Sequence, residues 1–576
     1  MSSSRSQRPG RIAACTAFAL AAGTLLSAGP AFAAGEPAAP KASAAAAAAS
    51  KQDRTAAGLA GSGAPGKSTF AFKKAKPRLD LDGDGLSDFM FRNHFGATGA
   101  LQTKTDQVSD YKVSGESTEI SRDMIALGNI RGGWGTELLL WHADGRLAMH
   151  QAYGTGTQAA TWTGTGWQIY NKLIAAGDLT KDGRGDLLAR TPSGDLYLYR
   201  ATGSATGNPF GGRVKVGGGW GAYDQVIGAN DLDADGIADL LAKDLGGNLW
   251  YYKGTGSTTA PFKGRVKVGG GWNIYNKIVA MDDQSGDGKA DIYGVQHNGE
   301  LYGYASLGGG KFGARQKLGG GWTIDDAIVN SGVTPVFGKH SVTAVTGANE
   351  VREYVNRADG LFFSPPVAYD FPWNSGRTLV NATGLDRSNQ ATKLSWTGSA
   401  LFNSVTGNSV GTLPNTNLVV GPGDLNGDGK GDLLSRDTWG NLLLNPGNGT
   451  GGWFGKPVLV GPGWNAYKTL AGGGDINGDG RADLVAQSHD GHLYLYKGTG
   501  NASAPFGARE WYSGGWNGYS GIAVAGDLTG DGRADLVARD YNGDMWLYRG
   551  TGNGGTGAFA GRTHLDKGWK AFAQFN

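Results

Sequence analysis

An acidic loop that recurs seven times is the feature that most constrains how this chain folds. Each copy fits the pattern Asp-x-(Asp/Asn/Ser/Thr)-x-Asp-Gly-x-x-Asp, and the copies begin at Asp80, Asp178, Asp231, Asp283, Asp424, Asp475 and Asp527. Consecutive copies within each of the runs 178–283 and 424–527 lie 51 to 53 residues apart. A fixed period of this length is typical of repeat architectures in which each repeat is one supersecondary unit.

Degenerate copies fill the two longer gaps between these loops. One begins at Asn129, and two more lie around Gly332 and Gly384. They retain the spacing but lack the full set of acids, so we expect them to hold no metal. The chain therefore contains ten units of about 50 residues.

Each unit is predicted to form four short strands. In the unit at Asp178, apolar or alternating segments predict strands at 173–176, 187–190, 196–199 and 212–216. Glycine supplies 102 of the 576 residues, which disfavours long helices because each interior glycine costs about 1 kcal/mol relative to alanine. The fold class is thus all-β, a β-propeller of ten four-stranded blades. Two five-bladed rings are one arrangement, and a seven-bladed ring with extra blades is the alternative.

The N-terminus has the pattern of an export signal. Arg5, Arg8 and Arg11 precede an apolar run, and Ala31-Phe32-Ala33 is a small-residue cleavage site. We predict a signal peptide at 1–33, a linker rich in Ala, Gly and Pro at 34–77, blades 1–5 at 78–331 and blades 6–10 at 332–576. Residues 324–420 diverge from the repeat. The mature protein is expected to be secreted and extracellular, without a cysteine, because Cys15 lies in the signal peptide.

The charge balance and the lengths of the apolar segments argue against nucleic-acid binding and a membrane span, respectively. Without the first 33 residues, acidic and basic residues are equal in number, and no block of like charge stands out. We therefore expect no nucleic-acid binding. No later segment is long and apolar enough to span a membrane.

The acidic loops predict calcium sites, up to seven in all. Ca²⁺ takes six to eight oxygen ligands, and a tight loop can supply them from positions 1, 3, 5 and 9 and from the backbone carbonyl of position 7. The position normally held by Glu in an EF-hand is Ala189 in the Asp178 loop, so Asp186 at position 9 replaces it. The predicted ligands are Asp80, Asp82, Asp84, Asp88, Asp178, Thr180, Asp182, Arg184, Asp186, Asp231, Asp233, Asp235, Ile237, Asp239, Asp283, Ser285, Asp287, Lys289, Asp291, Asp424, Asn426, Asp428, Lys430, Asp432, Asp475, Asn477, Asp479, Arg481, Asp483, Asp527, Thr529, Asp531, Arg533 and Asp535.

These loops resemble the FG-GAP or VCBS-type repeats of integrin-like β-propellers over residues 78 to 576. The Gly-Gly-Gly-Trp segments that end at Trp220 and Trp272, with the aromatic strands that follow, look like the repeat of tachylectin-2-type lectins. The second resemblance implies a five-bladed propeller that binds N-acetylated amino sugars between blades. Similar secreted propellers are lectin subunits of umbrella-shaped antibacterial toxin particles, which implies a targeting role in a secreted toxin complex of an actinobacterium.

A Trp-x-x-Tyr element provides the candidate carbohydrate-binding residues. Aromatic faces stack on sugar rings, but large aromatics also dominate core burial, so blade packing is the competing interpretation. The candidates are Trp167, Tyr170, Trp220, Tyr223, Trp272, Tyr275, Trp464, Tyr467, Trp516 and Tyr519.

We predict no enzymatic activity, and two functions compete. The Gly407-Asn-Ser-Val-Gly411 segment fits a nucleophile-elbow pattern but lies where no helix is predicted. The first function is a lectin that binds cell-surface glycans. The second is a non-lectin scaffold or adhesion propeller that binds other secreted proteins through residues 324–420.

Overall fold

The described part of the chain consists almost entirely of antiparallel sheets. The structure, a computed structural model, describes residues 77–576 apart from 94–96, 117–120, 133–134, 323–324, 337, 339–340, 358, 363–364, 370–372, 387–390 and 453. The predicted signal peptide and residues 34–76 of the predicted linker lie outside the described residues. Nine four-stranded sheets and one five-stranded sheet confirm the all-β prediction of ten propeller blades.

Blades 1–5 come from the first half of the described chain. Blade 1 contains β1 (Phe89–Asn93), β2 (Thr98–Gln102), β3 (Gln107–Asp110) and β23 (Asp325–Ile328); blade 2 contains β4 (Ser121–Gly128), β5 (Thr136–His142), β6 (Leu147–Tyr153), β7 (Gly156–Thr157) and β8 (Trp162–Gly164); blade 3 contains β9 (Lys172–Gly177), β10 (Asp186–Arg190), β11 (Leu196–Tyr199) and β12 (Val214–Gly217); blade 4 contains β13 (Tyr223–Asn230), β14 (Asp239–Asp244), β15 (Leu249–Tyr252) and β16 (Val266–Gly269); blade 5 contains β17 (Tyr275–Asp282), β18 (Asp291–Gln296), β19 (Leu301–Tyr304) and β22 (Gln316–Gly319), with a hairpin of β20 (Ser306–Gly308) and β21 (Lys311–Phe312).

Blades 6–10 follow in the second half. Blade 6 contains β24 (Ser341–Thr346), β25 (Val351–Val355), β26 (Val367–Tyr369) and β43 (Phe572–Phe575); blade 7 contains β27 (Thr378–Thr383), β28 (Ala391–Trp396), β29 (Ala400–Asn403) and β30 (Ser409–Thr412); blade 8 contains β31 (Thr416–Gly423), β32 (Asp432–Asp437), β33 (Leu442–Asn445) and β34 (Val458–Gly461); blade 9 contains β35 (Tyr467–Gly472), β36 (Leu484–Ser488), β37 (Leu493–Tyr496) and β38 (Glu510–Ser513); blade 10 contains β39 (Tyr519–Val524), β40 (Leu536–Asp540), β41 (Met545–Tyr548) and β42 (Thr563–Asp566).

In the unit at Asp178, three of the four predicted strands match the structure to within a residue. The fourth, predicted at 212–216, is β12 at Val214–Gly217. It starts later because the N–H of Gly211 donates to the carbonyl of Arg200, and residues 201 and 210 form an isolated bridge before the strand begins.

The ten blades form two closed sets of five. In each set the last strand returns to complete the first blade: β23 pairs with β1, and the C-terminal β43 pairs with β24. Such closure hides sheet edges that otherwise pair with other chains. We call blades 1–5 the first ring and blades 6–10 the second ring.

A hydrophobic cluster fills the interface between each pair of neighbouring blades, including the first and last of each ring. Phe89 of blade 1 packs against Tyr293 of blade 5 in the first ring. Val342 of blade 6 lies in one cluster with Val537 of blade 10 in the second. The core is therefore distributed among the blade interfaces rather than concentrated at one centre.

A short connector joins the two rings and is held by the first. The N–H of Gly332 donates to the carbonyl of Ile278 at 2.9 Å, and the carbonyl of Gly332 accepts from the N–H of Val226 at 2.9 Å. The buried guanidinium of Arg190 donates to Thr334 Oγ1 at 2.6 Å. These contacts tie the connector to blades 3, 4 and 5.

Candidate functional sites

The seven acidic loops all lie at the same place in a blade, immediately before its second strand. In the Asp178 loop, β9 ends at Gly177 and β10 begins at Asp186. Gly183, the sixth residue of that loop, has a φ of +87°, in the left-handed region that glycine adopts without strain. The sharp turn at this point explains why the pattern keeps glycine at position 6.

The carboxylates at positions 1 and 5 hold the loop by accepting backbone N–H groups. In the Asp178 loop, the N–H of Gly183 donates to Asp178 at 2.7 Å, and the N–H of Arg184 donates to Asp182 at 3.1 Å. The same two contacts recur in the other six loops. All seven loops therefore share one conformation.

The carboxylate at position 9 links the loop to the third strand of its blade. In blade 3, Asp186 accepts the N–H of Leu179 at 3.0 Å and the N–H of Ala201, just after the third strand, at 3.1 Å. The contact to the residue fifteen positions later recurs in every loop. The carboxylate at position 9 is thus buried and connects the loop to its blade, in addition to being a predicted metal ligand.

The geometry of two loops fits a hard cation directly. Three carboxylate groups approach one another, with oxygens within 4.8 Å, in the Asp80 loop (Asp80, Asp82, Asp88) and in the Asp231 loop (Asp231, Asp233, Asp239). Asp233 Oδ1 is buried without a hydrogen-bond partner, and so is Thr529 Oγ1 at the same position of the Asp527 loop. A bound ion would provide a partner for these buried oxygens at position 3 of the loop.

Burial makes the charged form of the position-9 carboxylates unfavourable. Desolvation raises the pKa from 3.8 to about 7, and in each of these loops at least one neighbouring loop carboxylate adds to the shift. This holds for Asp88, Asp186, Asp239, Asp291, Asp432 and Asp483. A cation bound to the loop would favour the carboxylate instead.

Basic side chains approach the same oxygens, a feature that the sequence pattern did not predict. In the Asp283 loop, the position-7 Lys289 ammonium lies 2.8 Å from Asp287. Arg533 makes the equivalent contact with Asp531 at 2.7 Å. In the Asp231 loop, the ammonium of Lys253 from the end of β15 contacts Asp235 at 2.7 Å. Such cations compete with a metal ion for the carboxylates.

The second ring presents its acidic loops to the first ring. Asn171 Nδ2 of blade 3 donates to the carbonyl of Asp479 at 2.6 Å. Lys277 Nζ of blade 5 donates to the carbonyl of Gly530 at 3.3 Å. Arg533 forms a partly buried ion pair with Asp224 of blade 4 at 3.4 Å. The loops at 475 and 527 are thus part of the contact between rings.

The position-6 glycines show the same difference between the rings. A Cβ added at Gly429 would lie 2.0 Å from the carbonyl oxygen of Ala143. At Gly183 and Gly236 in the first ring, an added Cβ would have no neighbour within 4 Å. Loops of one sequence pattern therefore lie in an interface in the second ring, whereas the loops at 178 and 231 in the first ring are open at this position.

A cavity of about 330 Å³ lies where blades 2 and 3 face the loops of blades 8 and 9. Its lining includes Arg122 and Tyr170 from the first ring and Asp424, Asp475 and Arg481 from the second. Charges of both signs line it.

The candidate carbohydrate-binding aromatics lie within the blade packing. Each Trp opens a short 3-10 helix that follows a left-handed glycine, and Trp167 and Tyr170 are 8% and 1% exposed. The Trp167 ring packs against Tyr199 with centroids 4.9 Å apart, and the hydroxyls of Tyr170 and Tyr199 are 2.6 Å apart. The other four pairs repeat this burial and packing. Since their faces are covered, these rings offer no open surface for a sugar to stack on.

Exposed arginines above half-buried rings form a second recurring site that the sequence interpretation missed. Arg265 lies 4.1 Å from the centroid of Trp250, and Arg562 lies 4.1 Å from that of Trp546. Arg213, Arg315 and Arg509 lie 4.7 to 4.9 Å from the rings of Tyr197, Tyr302 and Tyr494. A Phe-x-x-Arg pattern, at 210–213, 262–265, 312–315, 506–509 and 559–562, was the available signal. We call these five clusters the arginine–aromatic sites.

Comparison with known protein families gives a match over part of the second ring. A family described as FG-GAP-like repeat matches residues 424–486 and 475–538. The search of curated proteins returned no match. One similar solved structure is titled "Crystal structure of BBS1N in complex with ARL6DN, soaked with mercury"; it is 12% identical, covers 66% of this chain and 94% of that chain, and has a TM-score of 0.20. That TM-score is too low to support any argument.

Among the described residues, no helix has the length and apolar character needed to cross a membrane.

Proposed function

We propose that this chain is a secreted, calcium-stabilised β-propeller that binds carbohydrate on cell surfaces. The observation that carries the carbohydrate part is the fivefold recurrence of the arginine–aromatic site. Packing alone does not require an exposed guanidinium at the same place in blades 3, 4, 5, 9 and 10. Rings flanked by polar donors are the type of surface that holds a sugar, and repeated sites suit a ligand that is itself repeated.

Calcium is the proposed cofactor of the acidic loops. When bound, it supplies positive charge to oxygens at positions 1, 3, 5 and 9 and to the backbone carbonyl at position 7. The side chains of this protein gather those oxygens, and Asp186 and its equivalents fasten each loop to its blade. The Asp80 and Asp231 loops, with three carboxylates already within reach of one ion, support this assignment most directly.

The proposal assigns no catalytic residue. Ser409 of the Gly407–Gly411 pattern begins the strand β30, where a nucleophile elbow would lead into a helix. We further propose that the protein is the targeting subunit of a secreted toxin complex, which its resemblance to lectin propellers implies.

The second candidate function is a scaffold that binds another secreted protein. The parts of blades 6 and 7 that lie within residues 324–420 carry neither an acidic loop nor a Phe-x-x-Arg arginine, so their surface differs from that of the regular blades. A protein partner would use a surface that does not repeat.

A glycan array distinguishes the two functions. The mature protein is applied in calcium, in EDTA, and in EDTA followed by restored calcium. We expect binding to a subset of glycans in calcium, loss in EDTA and recovery afterwards. Failure of the calcium-loaded protein to bind any glycan would contradict the lectin proposal. Capture of one secreted protein, abolished by exchanging surface residues of blades 6 and 7, would support the scaffold.

A further inference from the structure

The arginine–aromatic sites hold guanidinium groups that have no acidic partner. Among the described residues, none of the five arginines takes part in an ion pair, although lysines close by do. Lys215 lies 2.9 Å from Asp195, beside Arg213, and Lys317 pairs with Glu300, beside Arg315. In a chain whose charges are nearly balanced, five unpaired cations at equivalent places need an explanation.

Neutral contacts hold these guanidinium groups in place. Arg213 Nη1 and Arg509 Nη1 each donate to a tyrosine hydroxyl at 3.2 Å, and Arg562 Nη1 donates to Tyr519 at 2.7 Å. Arg265 donates to Tyr223 in the same way. The accepting hydroxyl is in turn hydrogen-bonded to a second tyrosine of the same blade. The aromatic ring contacts each guanidinium as well.

A guanidinium fixed in this way is prepared to bind an anion. It has five N–H donors in one plane, and the tyrosine uses only one nitrogen. The remaining donors form a fork that matches the two oxygens of a carboxylate or phosphate. Because the long side chain is already ordered, little conformational entropy is lost when an anion binds.

We propose that the arginine–aromatic sites bind acidic saccharides, with each guanidinium contacting a carboxylate or phosphate group of the glycan. This inference rests on the proposed carbohydrate-binding function and specifies its ligand class. Three sites lie on blades 3–5 and two on blades 9–10, so a polymer with regularly spaced anions can engage several at once. Weak individual contacts then combine into tight binding.

The test measures binding of the full mature chain, in calcium, to three immobilised polysaccharides. Alginate carries carboxylates, a phosphomannan carries phosphates, and dextran carries no charge. We expect binding to alginate, phosphomannan or both, with none to dextran, and the first two arms distinguish the two anions. Binding should weaken as salt is added, because exposed charges are screened.

Matched variants separate a built site from general positive charge. Arg265→Gln is expected to lower affinity about 10-fold, the usual effect of losing a charged hydrogen bond. A variant with all five arginines changed to glutamine should lose at least about 100-fold. The control removes the same charge from five exposed lysines outside the sites and should change affinity less than about 3-fold. The control positions are Lys104, Lys112, Lys456, Lys567 and Lys570.

Three outcomes would overturn the inference. An equal loss in the lysine control would show that net charge alone attracts the polymer. Binding to neutral glycans on the array but to neither acidic polysaccharide would refute the anionic ligand while leaving the lectin function intact. Retained affinity in the five-arginine variant would refute the sites themselves. Each variant is first checked for an unchanged thermal unfolding temperature in calcium.

Discussion

Removing calcium is expected to destabilise the protein far more at pH 8 than at pH 5.5. The reason is the set of buried position-9 carboxyls, such as Asp186, whose pKa burial raises from 3.8 to about 7. A raised pKa in the folded state means that the protonated acid is favoured. Its stabilisation is complete below about pH 4 and is lost as the pH rises through about 7.

The size of this loss of stability follows from the difference between the folded and unfolded pKa values. Holding one such carboxylate charged costs about 4 kcal/mol relative to the unfolded chain when the folded pKa is about 7 instead of 3.8. The total stability of a typical domain is about 5–15 kcal/mol, and six loops carry such a group. At pH 8 the metal-free protein therefore lacks a counter-charge for these carboxylates, which calcium would supply under the proposed assignment.

The assay is differential scanning calorimetry in calcium or EDTA at both pH values. At pH 8, EDTA should lower Tm by about 10 °C or more, and at pH 5.5 by less than half as much. The metal-free protein should be more stable at pH 5.5 than at pH 8. Identical Tm values in calcium and EDTA at pH 8 would refute the assignment of the loops. A metal-free protein that gains stability between pH 5.5 and pH 8 would refute the burial argument.

A single substitution tests the same reasoning within one loop. Asp186→Asn removes the charge but leaves one oxygen to accept an N–H, so it loses about 1–3 kcal/mol of hydrogen bonding while removing the penalty of about 4. It should be at least as stable as the parent protein in EDTA at pH 8 and less stable in calcium. Asp110→Asn, at an exposed position on β3, is the control and should leave the stability unchanged both in EDTA and in calcium.

Three further predictions test the fold. Gly429→Ala should cost at least about 2 kcal/mol more than Gly183→Ala, because the added methyl meets the facing ring in the first case and solvent in the second; chemical unfolding measures the difference. Trp272→Ala, at a side chain 8% exposed, should lower the free energy of unfolding by about 3–5 kcal/mol. Trp439→Ala, at a side chain 72% exposed, should change it by no more than about 0.5 kcal/mol in the same assay. Deleting residues 572–576 removes the strand that completes blade 6 and should make the second ring sensitive to limited proteolysis; equal resistance would show that β43 is dispensable.

Much of the fold could be predicted because the repeat is local. The acidic loops and their spacing reveal one blade per unit, and the contacts from Gly183 to Asp178 need only residues within the loop. Position 6 requires a left-handed glycine wherever the loop occurs. The number of blades and the predicted metal ligands follow from such short-range patterns.

The role of the aromatics could not be decided in the same way. A Trp-x-x-Tyr pattern is compatible with both stacking on a sugar and packing between blades. The covering ring of Trp167 comes from Tyr199, on another strand of the blade, so its burial depends on strand pairing. The exposed Arg265 lies above Trp250 for the same reason, although its Phe-x-x-Arg pattern is visible in the sequence.

The sequence by itself determined the repeat, the four-stranded unit and the conformation of each acidic loop, since these depend on backbone preferences and hydrogen bonds between near neighbours. Only the tertiary structure decided how the blades divide into two rings and which loops face the other ring. Gly183 and Gly429 occupy the same position of the same pattern, yet one is open and the other touches Ala143. That difference arises from the docking of distant blades, which no short segment encodes.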